Sequence, residues 1–282
     1  MIEMIKVREI QTPAFYIMGS AAAAAPVNVT IDTKYELGKY VVTADEYTDV
    51  FEWATGNGYT MSPCHSKGDL PAVGVSWFDA IAFCNAASER DGLAPVYRDG
   101  LAFYRRDDSA QLRGVRVHVW PRFDRRANGY RLPIEAEWEY AARNRAGIDG
   151  DKVSADASES VCKYANVPCS DSKCPYCDDP IVDDGDGIVY RVKSLQPVGK
   201  RSPNALGFYD MLGNVLEWTY DAWRDVAVDK AVDRDDHRNL WRVVKGASYG
   251  WSDGDMKIGS RQACNAEFAL PNLGFRVGRN LD

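Results

Sequence analysis

The segment from residue 146 to residue 200 constrains the fold most, because it has the composition of a long loop. It is rich in Asp, Ser, Gly, Pro and Cys, and the helical pattern of the preceding residues is absent from it. Loops of this length are uncommon in a compact domain unless metal ions, disulfides or a function fasten them. The segment therefore predicts fastened loops rather than further helices.

Helices are predicted in the first half of the chain, where capping residues precede apolar residues at helical spacing. Thr43 and Glu46 have the spacing of a capping box, so a helix should begin at Ala44. Ser76 is the expected N-cap of a second helix. Pro133 suits the first turn of a third helix, and acidic residues follow it near the positive end of the helix dipole.

Short apolar or alternating runs predict strands at both ends of the chain, at 15–18, 27–31, 241–244 and 274–277. Neither an internal repeat nor a linker divides the 282 residues, so we expect one domain over 1–282. The net charge of −7 argues against nucleic acid as a partner. We also expect no transmembrane segment, because no apolar run is long enough to span a membrane.

Several motifs occur in one order along the chain. They include Pro71-Ala-Val-Gly-Val-Ser-Trp, Asn128-Gly-Tyr-Arg-Leu-Pro, Gly213-Asn-Val-Leu-Glu-Trp, Lys245-Gly-Ala-Ser-Tyr and Asn272-Leu-Gly-Phe-Arg. With these motifs the chain resembles the formylglycine-generating-enzyme (sulfatase-modifying factor) family across nearly its whole length. The resemblance implies an α+β, C-type-lectin-like fold with little regular secondary structure, short sheets and few helices. The family includes oxidases, sulfoxide synthases and non-enzymatic ligand binders, so the fold does not determine the function.

In the copper-dependent oxidases of the family, two cysteines follow a Gly-Gly-Ser motif. Aligned on Gly246, this chain has Trp251 and Met256 at those two positions. An indole nitrogen can only donate a hydrogen bond, and the nearby Cys264 alone cannot form a two-thiolate copper site. The histidines that an iron site would need are isolated in sequence, and they are His65, His118 and His237. We therefore expect no catalytic residue and no catalytic cofactor, with a copper- or iron-dependent oxidase as the alternative.

A third branch of the family comprises the variable proteins of diversity-generating retroelements, which end in a hypervariable segment closed by Gly-Phe-Arg. The chain resembles this branch, with its variable ligand-binding segment at about 245–276. Tyr, Ser, Gly, Asp and Asn are frequent there, and these residues are typical of adaptable binding surfaces. The predicted ligand-binding positions are Ala247, Tyr249, Gly250, Trp251, Ser252, Asp253, Asp255, Ser260, Ala263, Asn265, Ala266 and Phe268.

The resemblance also implies which of these positions can vary. The retroelement mutates adenines in AAC codons, and the codons that result cannot encode Trp, Met, Lys, Gln or Glu. Within the segment the fixed framework should therefore be Trp251, Met256, Lys257, Gln262 and Glu267. We expect the ligand to be a protein or another surface, and an ordinary Gly-rich loop without a ligand is the alternative explanation.

Two structural calcium sites are further implied by the resemblance, since carboxylate, amide and carbonyl oxygens suit a hard cation. The first would consist of Asn166, the carbonyl of Val167, Asp186 and the carbonyl of Ile188, and Asp-rich turns without metal explain these residues equally well. The second would consist of Asp210, the carbonyls of Gly213 and Val215, and Glu217.

A cluster of cysteines lies within the long loop segment. It consists of Cys162, Cys169, Cys174 and Cys177, and its last pair has the spacing of a zinc knuckle. The cluster is thus a candidate structural zinc site, with disulfides as the alternative. The odd total of seven cysteines argues against a fully paired disulfide framework. We expect a cell-surface or extracellular location if an N-terminal lipoprotein signal has been removed, and a cytoplasmic one otherwise.

Overall fold

The computed structural model describes residues 2–7, 14–18, 27–31, 33–105, 110–112, 115–117, 120–143, 181–183, 189–191, 194–224, 239–250 and 258–281. The helices within these residues are α1 (Ala44–Gly56), α2 (Trp77–Arg90) and α3 (Glu135–Arg143). None of the described helices has the length and hydropathy that crossing a membrane requires.

The strands are short, as the resemblance implies. They are β1 (Met4–Lys6), β2 (Ala14–Met18), β3 (Val27–Ile31), β4 (Tyr35–Gly38), β5 (Tyr97–Asp99), β6 (Ala102–Phe103), β7 (Ala110–Leu112), β8 (Val115–Val117), β9 (Arg122–Phe123), β10 (Tyr130–Arg131), β11 (Ile181–Asp183), β12 (Val189–Arg191), β13 (Leu216–Ala222), β14 (Trp241–Lys245), β15 (Gln262–Asn265), β16 (Leu273–Gly274) and β17 (Gly278–Asn280). The expected α+β class with few helices is confirmed.

The first two helices begin where their capping residues predict. The backbone N–H of Glu46 donates to Thr43 Oγ1 at 3.2 Å, and the Glu46 carboxylate accepts from the backbone of Thr43 at 2.9 Å. Ser76 and Asp79 form the same reciprocal pair at the start of α2. Each box satisfies backbone donors that a helix start leaves without an intrahelical acceptor.

The third helix begins two residues later than the position of Pro133 predicts. The carbonyl of Pro133 accepts a hydrogen bond from Tyr220 in β13 at 2.9 Å, so this residue belongs to the connection with the sheet. The helix then begins at Glu135, whose backbone N–H donates to Asp221 Oδ2 at 2.6 Å. A long-range contact with β13 therefore decides where α3 starts.

Two four-stranded sheets organise the described part of the chain. The first has the order β1-β4-β17-β10, and in it β4 pairs antiparallel with strands from both ends of the sequence. The second has the order β15-β14-β13-β16. Smaller sheets pair β2 with β3, β7 with β8 and β11 with β12, and join β6, β5 and β9.

The predicted strand at 274–277 is interrupted in the structure. β16 ends at Gly274 in the second sheet, and β17 begins at Gly278 in the first. Between them the carbonyls of Phe275 and Val277 accept hydrogen bonds from Val42 and Gly38. The interruption arises because this stretch carries the chain from one sheet to the other.

Buried tryptophans hold the sheets and helices together. Trp138 and Trp218 are fully buried. Trp218 donates its indole N–H to the carbonyl of Val75 at 3.1 Å, and Trp138 donates to Glu217 Oε2 at 2.7 Å. Both indole nitrogens thus have an acceptor, as buried indoles require.

Candidate functional site

The second sheet supports the C-terminal segment that the sequence singles out. The chain leaves β14 at Gly246 and returns in β15, which pairs antiparallel with β14. In this pairing Asn265 is the register partner of Trp241, and Ala263 is the partner of Val243. The residues between Gly246 and Arg261 therefore connect two neighbouring strands of one sheet.

The predicted ligand-binding positions differ in exposure. Gly250, Ala263 and Phe268 are exposed, whereas Tyr249, Ser260 and Asn265 are partly buried. Positions 251, 252, 253 and 255, which are Trp251, Ser252, Asp253 and Asp255, lie outside the described residues. Because side chains alternate along a strand, positions 263 and 265 lie on one face of β15.

Two predicted positions are corrected by the structure. Ala247 is 7% exposed and packs in the apolar cluster that contains Trp138, and Ala266 is fully buried. The backbone of Ala266 also donates to Leu240 and accepts from Trp77. Neither side chain is exposed at the surface, because each is buried between elements that are distant in sequence.

A pair of turns fixes the start of the segment. Gly213 donates to the carbonyl of Gly246 at 2.7 Å, and Tyr249 donates to the carbonyl of Asn214 at 3.1 Å. Asn214 and Ala247 both have positive φ, of 60° and 61°, a conformation that costs an L-residue about 1 kcal/mol or more. The first residues after β14 are therefore held in one strained path that sets the position of Tyr249.

An exposed aromatic patch lies at the end of this sheet, and we define it by Trp241, Ala263, Asn265 and Phe268. Trp241 is 46% exposed and Phe268 is 49% exposed. Both lie beside Asn265, which is paired with Trp241 and accepts the backbone N–H of Phe268 at 2.9 Å. The Asn265 side chain accepts the N–H of Glu267 at 2.9 Å, so it also shapes the turn.

Trp241 was not among the predicted positions. The sequence signal was its place at the start of an apolar run, which predicts a strand and not the exposure of its first residue. Trp223 lies next to it, since the N–H of Trp223 donates to the carbonyl of Trp241 at 2.7 Å. The guanidinium carbon of Arg261 lies 4.6 Å from the centroid of the Trp223 ring, a cation–π contact.

A cavity of about 300 Å³ opens beside the patch, and no pattern in the sequence indicates it. It is lined by Thr60, Met61, Ser62, Ser76, Phe78, Asp79, Glu267 and Ala269. Glu267 and Ala269 flank Phe268 in sequence, so the cavity and the patch adjoin. Five of these eight lining residues are polar or charged, so the cavity differs from the mostly apolar pockets that are typical of small-molecule sites.

Buried ion pairs fasten the segment to the rest of the molecule. Lys245, Arg261 and Arg276 are each at most 8% exposed. Lys245 Nζ lies 2.8 Å from Glu139 Oε2, and Arg261 donates to both oxygens of Glu135 at 2.8 and 2.9 Å. Arg276 of the closing Gly-Phe-Arg donates to both oxygens of Glu217 at 2.7 and 2.8 Å.

The neighbouring acids of α3 have separate partners. Burial raises the pKa of the Glu135 carboxyl, while Lys245 and Arg261 oppose that rise. Glu137 instead accepts hydrogen bonds of 2.6 and 2.7 Å from the Arg131 guanidinium and one of 3.1 Å from the backbone N–H of Ile134. The two carboxyl groups therefore support separate ion pairs.

The second predicted calcium site fits a cation in part. Burial raises the pKa of Asp210, Glu217 adds to that rise, and Gly199 donates to Oδ2 at 2.7 Å. A further positive charge would stabilise this carboxylate. Both oxygens of Glu217, however, already accept from Arg276, and Oε2 also accepts from Trp138. The other two predicted ligands, the carbonyls of Gly213 and Val215, lie between Asp210 and Glu217 in sequence. Calcium at this site stays a prediction.

The other predicted metal ligands lie outside the described residues, both the first calcium set and the cysteine cluster. Within the described ranges, no group of three or more His, Cys, Asp or Glu side chains is arranged to hold a metal ion. The described cysteines, Cys64, Cys84 and Cys264, are free thiols. Burial raises the pKa of Cys84, and it raises that of Cys264 to about 11. A thiol with so high a pKa is protonated at neutral pH and is a poor nucleophile or metal ligand.

Known structures share this arrangement of sheets and helices. Treponema denticola variable protein 1 matches with a TM-score of 0.67 and 23% identity, covering 99% of this chain and 95% of that one. The crystal structure of CarF also matches with a TM-score of 0.67 and 23% identity, covering 100% and 99%. These matches confirm the C-type-lectin-like fold implied by the sequence.

Curated relatives give the same family. Chaperone protein LppX of Paenibacillus barcinonensis is 30% identical, covering 93% of this chain and 85% of that one. Formylglycine-generating enzyme of Bos taurus is 26% identical over 79% of this chain and 47% of the enzyme. Inactive C-alpha-formylglycine-generating enzyme 2 of Mus musculus is 28% identical over 76% and 51%. The chain thus spans about half the length of these mammalian relatives.

A family model supports the same assignment over most of the sequence. The model of the sulfatase-modifying factor enzyme 1-like domain matches residues 9–281. This match includes both four-stranded sheets almost entirely, together with the exposed patch and the ion pairs behind it. The chain therefore belongs to the sulfatase-modifying factor family of formylglycine-generating-enzyme-like proteins.

Proposed function

We propose that this chain is a non-enzymatic ligand-binding protein whose C-terminal segment, about 245–276, is diversified by a retroelement. The observation that carries the proposal is the aromatic patch. Among the described residues the exposed large apolar side chains are Leu101, Trp241 and Phe268, and two of them flank Asn265. Single exposed apolar residues are ordinary, whereas contiguous exposed apolar surface marks interaction sites, and the backbones of Trp241 and Phe268 both meet that of Asn265.

The patch contains one residue that should stay constant and three that can vary. Trp241 lies outside the proposed variable segment, whereas Ala263, Asn265 and Phe268 lie within it. Rigid aromatic side chains supply contact area at a low cost in conformational entropy, and small polar residues adapt to different partners. A rigid sheet below the patch limits the entropy that a ligand must remove on binding. These features favour a protein surface as the ligand.

The chemistry of the described thiols supports a function without catalysis. Buried Cys84 and Cys264 have raised pKa values and are separate free thiols. The positions that align with the oxidase cysteines carry Trp251 and Met256. Relatives named as inactive enzymes occur in the same family. The oxidase alternative would therefore have to use other groups.

Activity can be tested directly on the purified chain. The protein is incubated with copper, oxygen and a cysteine peptide of the sulfatase type, and the peptide mass is followed. We expect no conversion of cysteine to formylglycine, whereas an active formylglycine-generating enzyme converts the peptide under the same conditions. Turnover by this chain above the protein-free control would refute the non-enzymatic function.

Diversification can be tested in the DNA around the gene. The proposal requires a reverse transcriptase gene and a near-copy of the segment's coding sequence that is richer in adenine. The codons for the exposed positions 250, 263 and 268 should align with AAC in that copy, and those for Trp251, Met256 and Gln262 should be identical in both. Absence of such a copy sinks the retroelement part of the proposal.

A second candidate function is favoured by one relative, which is named a chaperone and is 30% identical over 93% of this chain. A chaperone of this kind would bind exposed apolar segments of unfolded proteins through the same patch. The probe is reduced, carboxymethylated α-lactalbumin, an unfolded polypeptide, with binding measured by calorimetry. We expect no binding by a surface selected for one folded ligand. Binding that is lost in Trp241→Ser but kept in Leu101→Ser would establish the chaperone function instead.

A further inference from the structure

Both ends of the loop that leaves β14 and returns in β15 meet at one carboxylate. Lys245 is the last residue of β14, and its Nζ lies 3.7 Å from Glu135 Oε1. Arg261 precedes β15, and its Nε donates to the same oxygen at 2.8 Å. Residues 246–260, which contain most of the proposed variable positions, lie between these two cations.

We propose that Glu135 is a positioning residue that fixes both ends of residues 246–260, so that the sequence between them can change without moving its supports. The inference rests on the proposed function, because only a diversified segment needs ends that are independent of its own sequence. None of the three residues in this contact is one of the exposed positions of the proposed variable segment. Lys245 and Arg261 are buried, and Glu135 belongs to α3, more than one hundred residues earlier.

The anchor is itself held firmly. The backbone N–H of Glu135 donates to Asp221 in β13 at 2.6 Å, and Trp138, one turn along α3, donates to Glu217 in the same strand. α3 therefore cannot shift without breaking contacts with the centre of the second sheet. A buried charge that loses its partner is strongly destabilised, so each cation favours the position in which it meets Glu135.

The positive and negative charges around Glu135 are nearly equal in number, so the cations share their carboxylate partners. Glu139 accepts from Lys245 at 2.8 Å and from Arg143 Nε at 2.8 Å. Lys245 thus has two carboxylate neighbours, whereas Arg261 donates to both carboxylate oxygens of Glu135. Removing Glu139 should loosen one end of the loop, and removing Glu135 should loosen both. This difference separates a shared anchor from a general contribution to the core.

Fixed ends also suit a loop of changing sequence for an entropic reason. The entropic cost of closing a loop arises from bringing its two ends together and depends only weakly on its length. The positive φ of Ala247 and the hydrogen bond from Tyr249 to Asn214 guide the chain for its first residues after Lys245. At the other end Arg261 also donates to the carbonyl of Arg224 at 2.9 Å.

The test compares hydrogen–deuterium exchange in the full chain and its variants Glu135→Gln and Glu139→Gln. In Glu135→Gln we expect peptides at 245–250 and at 258–262 to exchange about tenfold faster, with α2 unchanged. In Glu139→Gln only the peptide at 245–250 should exchange faster. An increase at one end only in Glu135→Gln, or an equal increase across α2, would overturn the inference.

A milder variant keeps the test decisive if Glu135→Gln does not fold. Arg261→Lys keeps the positive charge but loses the two-pronged contact with Glu135. We expect faster exchange at 258–262 and an unchanged α2, and unchanged exchange at 258–262 would overturn the inference. No ligand is used in these measurements, so failure here leaves the proposed binding function intact. Conversely, the lack of a template copy near the gene would refute the diversification, but the effect of Glu135 on the exchange of the loop ends could still be measured.

Discussion

Replacing Arg276 with methionine should destabilise the chain strongly, because this guanidinium joins β13, β4 and the segment around Tyr209 inside the core. Arg276 is fully buried and donates to both oxygens of Glu217 at 2.7 and 2.8 Å. It also donates to the carbonyls of Gly38 and Tyr209 at 3.0 and 2.9 Å. Methionine fills similar space and removes the Arg276 donor from these four acceptors, of which Glu217 Oε2 keeps another donor, the Trp138 indole N–H.

The expected cost follows from these contacts. Removing one partner of a buried ion pair costs about 3–5 kcal/mol, because the remaining charge stays buried. The two carbonyls that lose a donor add about 1 kcal/mol in total, since neighbouring groups can relax. The sum of about 4–6 kcal/mol is a large part of the 5–15 kcal/mol typical of a domain. We expect the melting temperature to fall by roughly 10–20 °C.

The assay is urea denaturation followed by tryptophan fluorescence, which reports on buried Trp138 and Trp218. Arg279→Met is the matched control, because Arg279 is 29% exposed and lies 3.3 Å from Glu36. We expect the control to cost less than about 1 kcal/mol. Adding Glu217→Gln to Arg276→Met should recover about 2 kcal/mol, because it removes the unpaired charge and keeps an acceptor for Trp138. A cost below about 1 kcal/mol for Arg276→Met, or further loss in the double variant, would refute the reasoning.

Further predictions concern Ala247 and Asp210. Ala247→Val should lose about 1–3 kcal/mol because a β-branched residue is strained at a φ of 61°, whereas Ala247→Gly should stay within about 1 kcal/mol; equal denaturation midpoints for both variants would contradict this. The raised folded-state pKa of Asp210 means that its protonated form is favoured in the folded chain. Its contribution is therefore present below the unfolded value of 3.8 and is lost as the pH rises through the folded pKa. Asparagine also tolerates positive φ. In the presence of a chelator, Asp210→Asn should therefore become more stable than the unchanged chain as the pH rises through the folded pKa of Asp210. Added calcium should raise the melting temperature of the unchanged chain more than that of Asp210→Asn, and equal shifts would exclude calcium at Asp210.

Local signals predicted much of the architecture. The capping box at Thr43 and the N-cap at Ser76 place the starts of α1 and α2 correctly, because these two starts are determined by residues within one turn. The strands at 15–18, 27–31 and 241–244 are also confirmed, since apolar patterning is a property of a few consecutive residues. The start of α3 and the break in the strand at 274–277 were wrong. Both depend on backbone contacts with residues far away in sequence.

The candidate site was likewise predicted in part by the sequence and decided in part by the tertiary structure. Its position near the C-terminus, the absence of a cysteine pair there and the family motifs follow from the sequence alone. The tertiary structure decided that Trp241 is exposed, that Ala247 and Ala266 are buried, and that the cavity adjoins Phe268. It also decided that Glu135 meets Arg261, a pair separated by 126 residues. Burial and ion pairing depend on which distant surfaces pack together, and a single sequence does not contain that information in any local pattern.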